Sequence, residues 1–580
     1  TGATLTGAKL NTADLELADL TGADLTSADL TGATLTNVVI TATTILTSAK
    51  LINANLSSTN LNAADLTSIE MAKADLTGAN LTSTTLISAN LAGAKLGGAN
   101  LTSANLTGGA KLSKADLTGA NLTSADLTGA DLTGAKLNTA NMTEVNISGA
   151  NLTAADLTGA TGLTGTDPAT NLPTGIIISA TTILTSAKLV GADLTGDTLS
   201  GVQMEKADLT GATLTDAIFT ATVDGNGVET AAATNLAGAN LTNATMGGAD
   251  LTGATLTGAK LGGATLTASL TGVAKLDNAL LGKADLTGAD LTAATLTGAT
   301  LTGAKLNTAT LTGADITGAD LTGADLTGAT LTNIVIDAAT ILTSAKLISA
   351  DLSSTNILAA DLTSIEMAKA DLTGANLTST TLISANLAGA KLGGANLTSA
   401  NLTGGAKLSK ADLTEANLTS ANLTGADLSG AKLNTADLEL ANITGANLTA
   451  ADLTGATLTS IIITATTNLT SAKLINANLT GDVLTGVQMA KADLTGATLT
   501  DATLTTAATN LAGANLTNAI MGGADLTGAT LTGAKLGGAT LTGSAKLDNA
   551  LLGKADLTGA DLTSATLTGA TLTGAKLGGA

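Results

Sequence analysis

The sequence predicts a repeat architecture, a solenoid of short stacked units, and three observations predict it. An apolar residue returns at every fifth position, a small residue sits two places before it, and bulky or reactive side chains are nearly absent. The apolar series opens at Leu5, Leu10, Leu15, Leu20, Leu25, Leu30, Leu35 and Ile40. It resumes one step out of phase and runs from Leu51 through Leu106, with Met71 filling one slot. Helices repeat their apolar face about every 3.6 residues and strands about every two, so neither accounts for a period of five.

Composition says what such a fold must do without. The 580 residues include one Phe and no Trp, Tyr, Cys or His. With no large aromatic anchors, the chain has to bury many small aliphatic side chains in a repeated way. The lack of Cys removes disulfides, thiolate nucleophiles and thiolate metal sites, and leaves the redox compartment open. The lack of His removes the best proton carrier near neutral pH and the commonest transition-metal ligand. No cofactor and no small-molecule substrate is therefore expected. All 25 cations are Lys and the net charge is -21. Without the Arg fork that grips phosphate, nucleic acid is not an expected partner. Mean hydropathy is +0.37, but it arises from interleaved Ala and Leu, not from a continuous apolar run long enough for a membrane span. The chain starts at Thr1 without Met and without the layout of a secretion signal, as expected of a processed, truncated or engineered start.

Around each apolar residue the unit reads A-[DNTK]-L-[TS]-[GS]. This resembles the pentapeptide-repeat family, whose signature is A-[DN]-L-x-x, and the resemblance covers essentially the whole chain. It implies an all-β fold, a right-handed quadrilateral parallel β-helix in which four pentapeptides make one square coil, Leu and the preceding Ala point inward, and the other three positions face solvent. Leu stacked on Leu fills the axis and leaves no pore, while each coil passes backbone hydrogen bonds to the next. At twenty residues per coil the chain would make about 29 coils and, at the ~4.8 Å spacing of neighbouring strands, one continuous rod about 140 Å long.

Coils of twenty residues make outward side chains stack in columns, where like charges should avoid one another. Asp75, Lys95, Asp116, Lys136 and Asp156 fall on one such column and alternate in sign, the single longer step being absorbed by the extra Gly between Leu106 and Leu112. Lys9, Asp29, Lys50 and Glu70 alternate on another. Asp371, Lys391, Asp412, Lys432 and Asp452 repeat the pattern in the second half. Asn60, Asn80, Asn100, Asn121 and Asn141 form a polar column in which amides are expected to bond from coil to coil, as in stacked Asn ladders. These columns are expected to set register, while Leu burial supplies the stability.

A longer repeat overlies the short one. The opening Thr1–Asn11 run returns from Thr297, so the solenoid is internally duplicated as 1–296 and 297–580. The first half carries insertions near 164–173 and 222–229, expected as surface loops. The second of these, Asp224 to Glu229, faintly resembles a calcium loop but is too short for one, and reads as a turn. The last residues, Thr568–Ala580, repeat Thr1–Ala13 except at Gly578 and Gly579. Neither end shows a cap, which suggests either a window of a longer polypeptide or ends that stack head to tail into a filament.

Function then reads as architecture. The chain is expected to be a rod, fibre, sheath or surface component that associates with itself, extracellular or on a bacterial cell surface, with a cytoplasmic site left open. The family also contains acidic DNA mimics that inhibit gyrase. Duplex DNA carries a charge about every 1.7 Å, whereas -21 over the expected rod is about one per 6–7 Å. A third reading is ice binding by Thr-Leu-Thr arrays such as Thr4–Thr6, Thr34–Thr36 and Thr255–Thr257, though Asp, Asn and Lys interrupt them. Catalysis is not expected, because the carboxylates fall on convex, solvated faces.

Overall fold

A computed structural model describes residues 1–163, 178–223, 229–269, 272–506 and 508–580. The chain divides into two compact units, Thr1–Lys305 and Leu306–Ala580.

In the first unit the repeat sets the geometry directly. Thr4 pairs in parallel with Asp24, Lys9 with Asp29, Asp14 with Thr34 and Asp19 with Val39. Each partner lies twenty residues on, so four pentapeptides close one coil and give it four sides. A side is too short to be a strand in the ordinary sense, because four of its five residues also build a turn. It forms a single bridge instead of an unbroken ladder. At Asp75 and Lys95 the pattern is complete: Lys95 N donates to Ala74 O at 2.9 Å, Leu76 N to Lys95 O at 2.7 Å, and Gly78 N to Gly97 O at 2.9 Å. Ala79 N closes the corner on Leu76 O at 3.0 Å. The third turn residue is left-handed, with φ of 65° at Gly78, which is why this slot favours Gly.

The axial residues are sealed from solvent. From Leu25 onward most of the central Leu and the Ala before them are 0–1% exposed. The single Phe, Phe219, fills an axial slot and is also buried, as are Met71, Met142, Met204, Met246, Met367, Met489 and Met521. Each such side chain contributes about 1.5–3 kcal/mol on leaving water. The axis is half-exposed in the first coil at Leu5, Leu10 and Leu15, and in the last at Leu562, Leu567 and Leu572.

Longer steps mark the places where the chain leaves the coil. Asp156 pairs with Lys188 and Gln203 with Asn235. The first step spans the insertion near 164–173, which lies outside the described residues. Within the second, β1 (Thr222–Val223) and β2 (Glu229–Ala231) pair antiparallel, so a hairpin departs and returns. Its centre, with Asp224, lies outside the described residues.

The second unit is built the same way. Thr310 pairs with Thr330, Asp371 with Lys391 and Asn386 with Lys407. Two sides are long enough to register as short strands, β3 (Val335–Ile336) and β4 (Asn356–Ile357), and they run parallel.

Candidate functional site: the coil-to-coil ladders

The polar groups of each coil are organised first within their own turn. Asp24 Oδ1 accepts from Thr26 N at 3.0 Å and from Thr26 Oγ1 at 2.6 Å. The same pair recurs at Asp75 with Thr77, Asp116 with Thr118 and Asn100 with Thr102. An acid or amide just before Leu and a Thr just after it thus lock the bend by a local side-chain turn. The Thr77 hydroxyl, more than any other group, holds the Asp75 carboxyl below the usual range. Thr31 and Asn11 hold Asp29 at about 2. Burial pushes Asp156 up, but Thr158 and Asn138 outweigh it and leave the group at about 2.

Between coils, the structure stacks Asp75, Lys95, Asp116, Lys136 and Asp156 in that order. Lys95 Nζ lies 3.2 Å from Asp75 Oδ2, and Lys136 Nζ 3.7 Å from Asp116 Oδ2. In the second unit Lys391 meets Asp371 at 2.9 Å and Lys432 meets Asp412 at 3.3 Å. Every ion pair found among the described residues joins a Lys to the Asp of the coil before it. Lys9, Asp29, Lys50 and Glu70 also stack in sequence. No ion pair among those found closes on this column; Glu70 instead accepts the Asn90 amide at 2.6 Å.

The Asn column departs from the expected amide ladder. Asn60, Asn80, Asn100, Asn121 and Asn141 do stack. Asn80 Nδ2 donates to Asn60 Oδ1 at 2.9 Å, but Asn121 donates to Thr102 Oγ1 and Asn141 to Thr123 Oγ1, both at 3.1 Å. In these contacts the residue two places after the lower Asn separates the outcomes. At Thr102 and Thr123 the hydroxyl already occupies the lower amide oxygen and accepts from the amide above, whereas no bond from Asn100 to Thr82 is found among the described residues. After Asn60 that place holds Asn62, which has no hydroxyl, and the amides meet directly. Asn376 and Asn356 repeat this at 3.0 Å, with Leu358 in the deciding place.

A second class of polar residue points inward. Thr59 and Thr467 take the slot usually held by Ala, are fully buried, and donate to Leu35 O at 2.8 Å and Ile443 O at 2.9 Å. Asp197 and Asp482 take the same slot, at 6% and 2% exposure. Ile461 N donates to Asp482 Oδ1 at 3.1 Å, while Oδ2 of both acids, like Ser200 Oγ, is buried without a partner. Burial pushes both carboxyls up to about 7, with Asp193 adding to the effect at Asp197. Sequence reasoning passed over these acids, although the period exposes them: each stands two residues before an axial Leu, where Ala is the rule.

Among the described residues no three carboxylates gather where a metal ion could be held. Within each unit the geometry instead ties successive described coils to one another, so the class these features define is a quadrilateral β-helix solenoid with Lys–Asp ladders. The pentapeptide-repeat model matches residues 1–37, 44–159, 182–222, 233–270, 274–333, 365–459, 467–505 and 509–579. The chain belongs to the pentapeptide-repeat family, whose members form right-handed quadrilateral β-helices.

Among solved structures, HetL, a pentapeptide repeat protein involved in heterocyst differentiation regulation in the cyanobacterium Nostoc, is similar at 29% identity. That match covers 47% of this chain and 89% of HetL, with a TM-score of 0.17. Full-length QnrB1, a plasmid-mediated fluoroquinolone resistance protein, is 16% identical over 44% of this chain and 93% of its own, with a TM-score of 0.17. A pentapeptide repeat protein of the Arabidopsis thaliana thylakoid lumen is 30% identical over 21% of this chain and 68% of its own, at a TM-score of 0.12. No curated protein matches the chain.

Proposed function

We propose that the chain is an architectural protein, a subunit of a fibre, sheath or surface layer that extends by stacking coil on coil with further copies of itself. The observation that carries this reading is how the polar side chains are used. Asp and Asn bind the Thr of their own turn, and Lys and Asn reach to the preceding coil, so the outward chemistry serves the stack. The apolar axis and the backbone hydrogen-bonding groups of a coil face form a surface that another coil of the same repeat covers with matching geometry. The partner this implies is the chain itself, head to tail, and the setting it suits is outside a bacterial cell.

The acidic columns also suit the family's duplex-mimicking mode, since the net charge is -21. Lys95, Lys136, Lys391 and Lys432, seated on neighbouring Asp, dilute that field. Negative-stain microscopy of the purified chain at rising concentration tests the architectural reading. End-to-end filaments support it. Monodisperse short particles at every concentration, together with inhibition of gyrase supercoiling, would replace it with the mimic.

A further inference from the structure

We infer that Asp482, and its counterpart Asp197 in the other unit, make one coil of each unit a proton-sensitive joint, closed while the carboxyl is neutral and loosened once it ionises.

The slot itself carries the argument. In the described residues the polar side chains that replace Ala in this inward position are mostly Thr, and Thr59 and Thr467 show what the slot rewards: a hydroxyl that donates to a carbonyl of the preceding coil. A neutral carboxyl has one such proton; a carboxylate has none and only accepts. At Asp482 one oxygen takes the Ile461 N–H and the other is buried without a partner. A charge there is shut off from bulk solvent, an arrangement proteins avoid by keeping the proton.

Among the described residues no opposite charge faces Asp482. The preceding coil presents Ser460 and Ile461, whose backbone N–H groups favour the anion without outweighing burial. The following coil presents Ala502, and beside it Asp501, whose Oδ1 is directed at Gly523. On neighbouring sides Lys473 is paired with Asp452, and Asp493 accepts from Thr495. Asp197 faces Ala217 on the following coil, with Asp216 next to it, and Asp193 on its own side adds like charge. Its preceding coil falls outside the described residues.

One axial place in the coil before Asp482 is loosely packed. The axial series beneath Asp482 runs Leu458, Ile463, Leu469, so this coil holds one extra residue. Ile463 is only half-buried in its axial place, whereas Leu458 and Leu469 on either side are sealed. The run Gly-Asp-x-Leu-x-Gly-Val-Gln-Met appears at 196–204 and again at 481–489, so the joint occurs once in each unit.

A carboxyl that is neutral in the fold and ionised in the unfolded chain binds more protons when folded. Stability is then greatest below the ordinary carboxylate range and falls as pH rises toward about 7. Outward Asp residues such as Asp29, Asp75 and Asp156 are depressed and act in the opposite sense, losing their contribution only below about pH 4. The interval from about pH 5 to pH 8 therefore isolates the two inward acids.

The test uses the full chain and its Asp197→Asn/Asp482→Asn double variant, with Asp197→Ala/Asp482→Ala as a second form that restores the family's usual residue. Thermal unfolding and hydrogen exchange at the Ile461 amide are followed at pH 5 and pH 8. The unsubstituted chain is expected to lose on the order of 5 °C in Tm across that interval. Its Ile461 amide, corrected for intrinsic exchange, is expected to open about tenfold more readily at pH 8. Both variants should be flat in Tm and match the unsubstituted chain at pH 5 or exceed it. The inference is overturned if either variant keeps the same pH dependence, or if Ile461 protection does not change with pH.

Discussion

Lys95 Nζ sits 3.2 Å from Asp75 Oδ2 in the preceding coil, although Asp116 stacks on Lys95 from the other side. The same choice recurs at Lys136, Lys391 and Lys432. These Lys side chains therefore lean toward the start of the chain, and the ion-pair ladder has a direction as well as the backbone.

That direction is measurable as a coupling energy. In double-mutant cycles, Asp75 and Lys95 should couple by about 0.2–1 kcal/mol, fading with salt, while Lys95 and Asp116 should couple by less than about 0.2 kcal/mol. Equal coupling on both sides would contradict the leaning geometry.

Leu440 holds a left-handed backbone, φ 61°, at the turn slot that Gly fills more often than any other single residue type, and its side chain is 52% exposed. Leu440→Gly should raise stability by roughly 0.5–1 kcal/mol by relieving that strain, whereas Leu440→Ala should gain less. Denaturant melts compare the two, and an Ala variant more stable than the Gly variant would count against this account of the turn.

Gly108 belongs to the extra residue between Leu106 and Leu112. A Cβ there would stand 2.8 Å from Ser88 Oγ and 2.9 Å from Ile87 Cγ2, and Ser88 Oγ donates to Gly108 O at 2.8 Å. Next to it, Gly109 has open space. Gly108→Ala should cost about 1–3 kcal/mol and Gly109→Ala about 1 kcal/mol, from its left-handed φ alone. Calorimetry of both variants checks the difference.

Acid should weaken the turns from outside. The Asp29 and Asp156 carboxyls, held at about 2, stabilise the fold above the ordinary carboxylate range, and that contribution is lost as pH falls through about 2. Carboxyl titration by NMR should show both groups ionised at pH 3.5, and an ordinary midpoint at either would refute the Thr31 or Thr158 hydrogen bond as its cause.

Most of the coil is legible in the sequence because a period of five leaves each slot one environment. Leu76 and Ala74 could only be axial, and Asp75 and Lys95 could only stack once twenty residues close a coil. The direction of pairing was not legible, since Lys95 has an Asp on both sides and only the lean of the side chain separates them. Nor was the fate of the Asn column, which depends on whether Thr102 or Asn62 follows in the turn. Asp197 and Asp482 were visible as acids in an Ala slot, but a burial penalty appears only when neighbouring coils are in place.

The central claim is that the chain's chemistry serves a stack that continues from copy to copy along one axis. X-ray diffraction from drawn, aligned material tests it most directly. A sharp reflection near 4.8 Å along the fibre axis is predicted, because coil spacing then runs parallel to the filament. The same reflection at right angles to the axis, or material that never forms an oriented fibre, would contradict it.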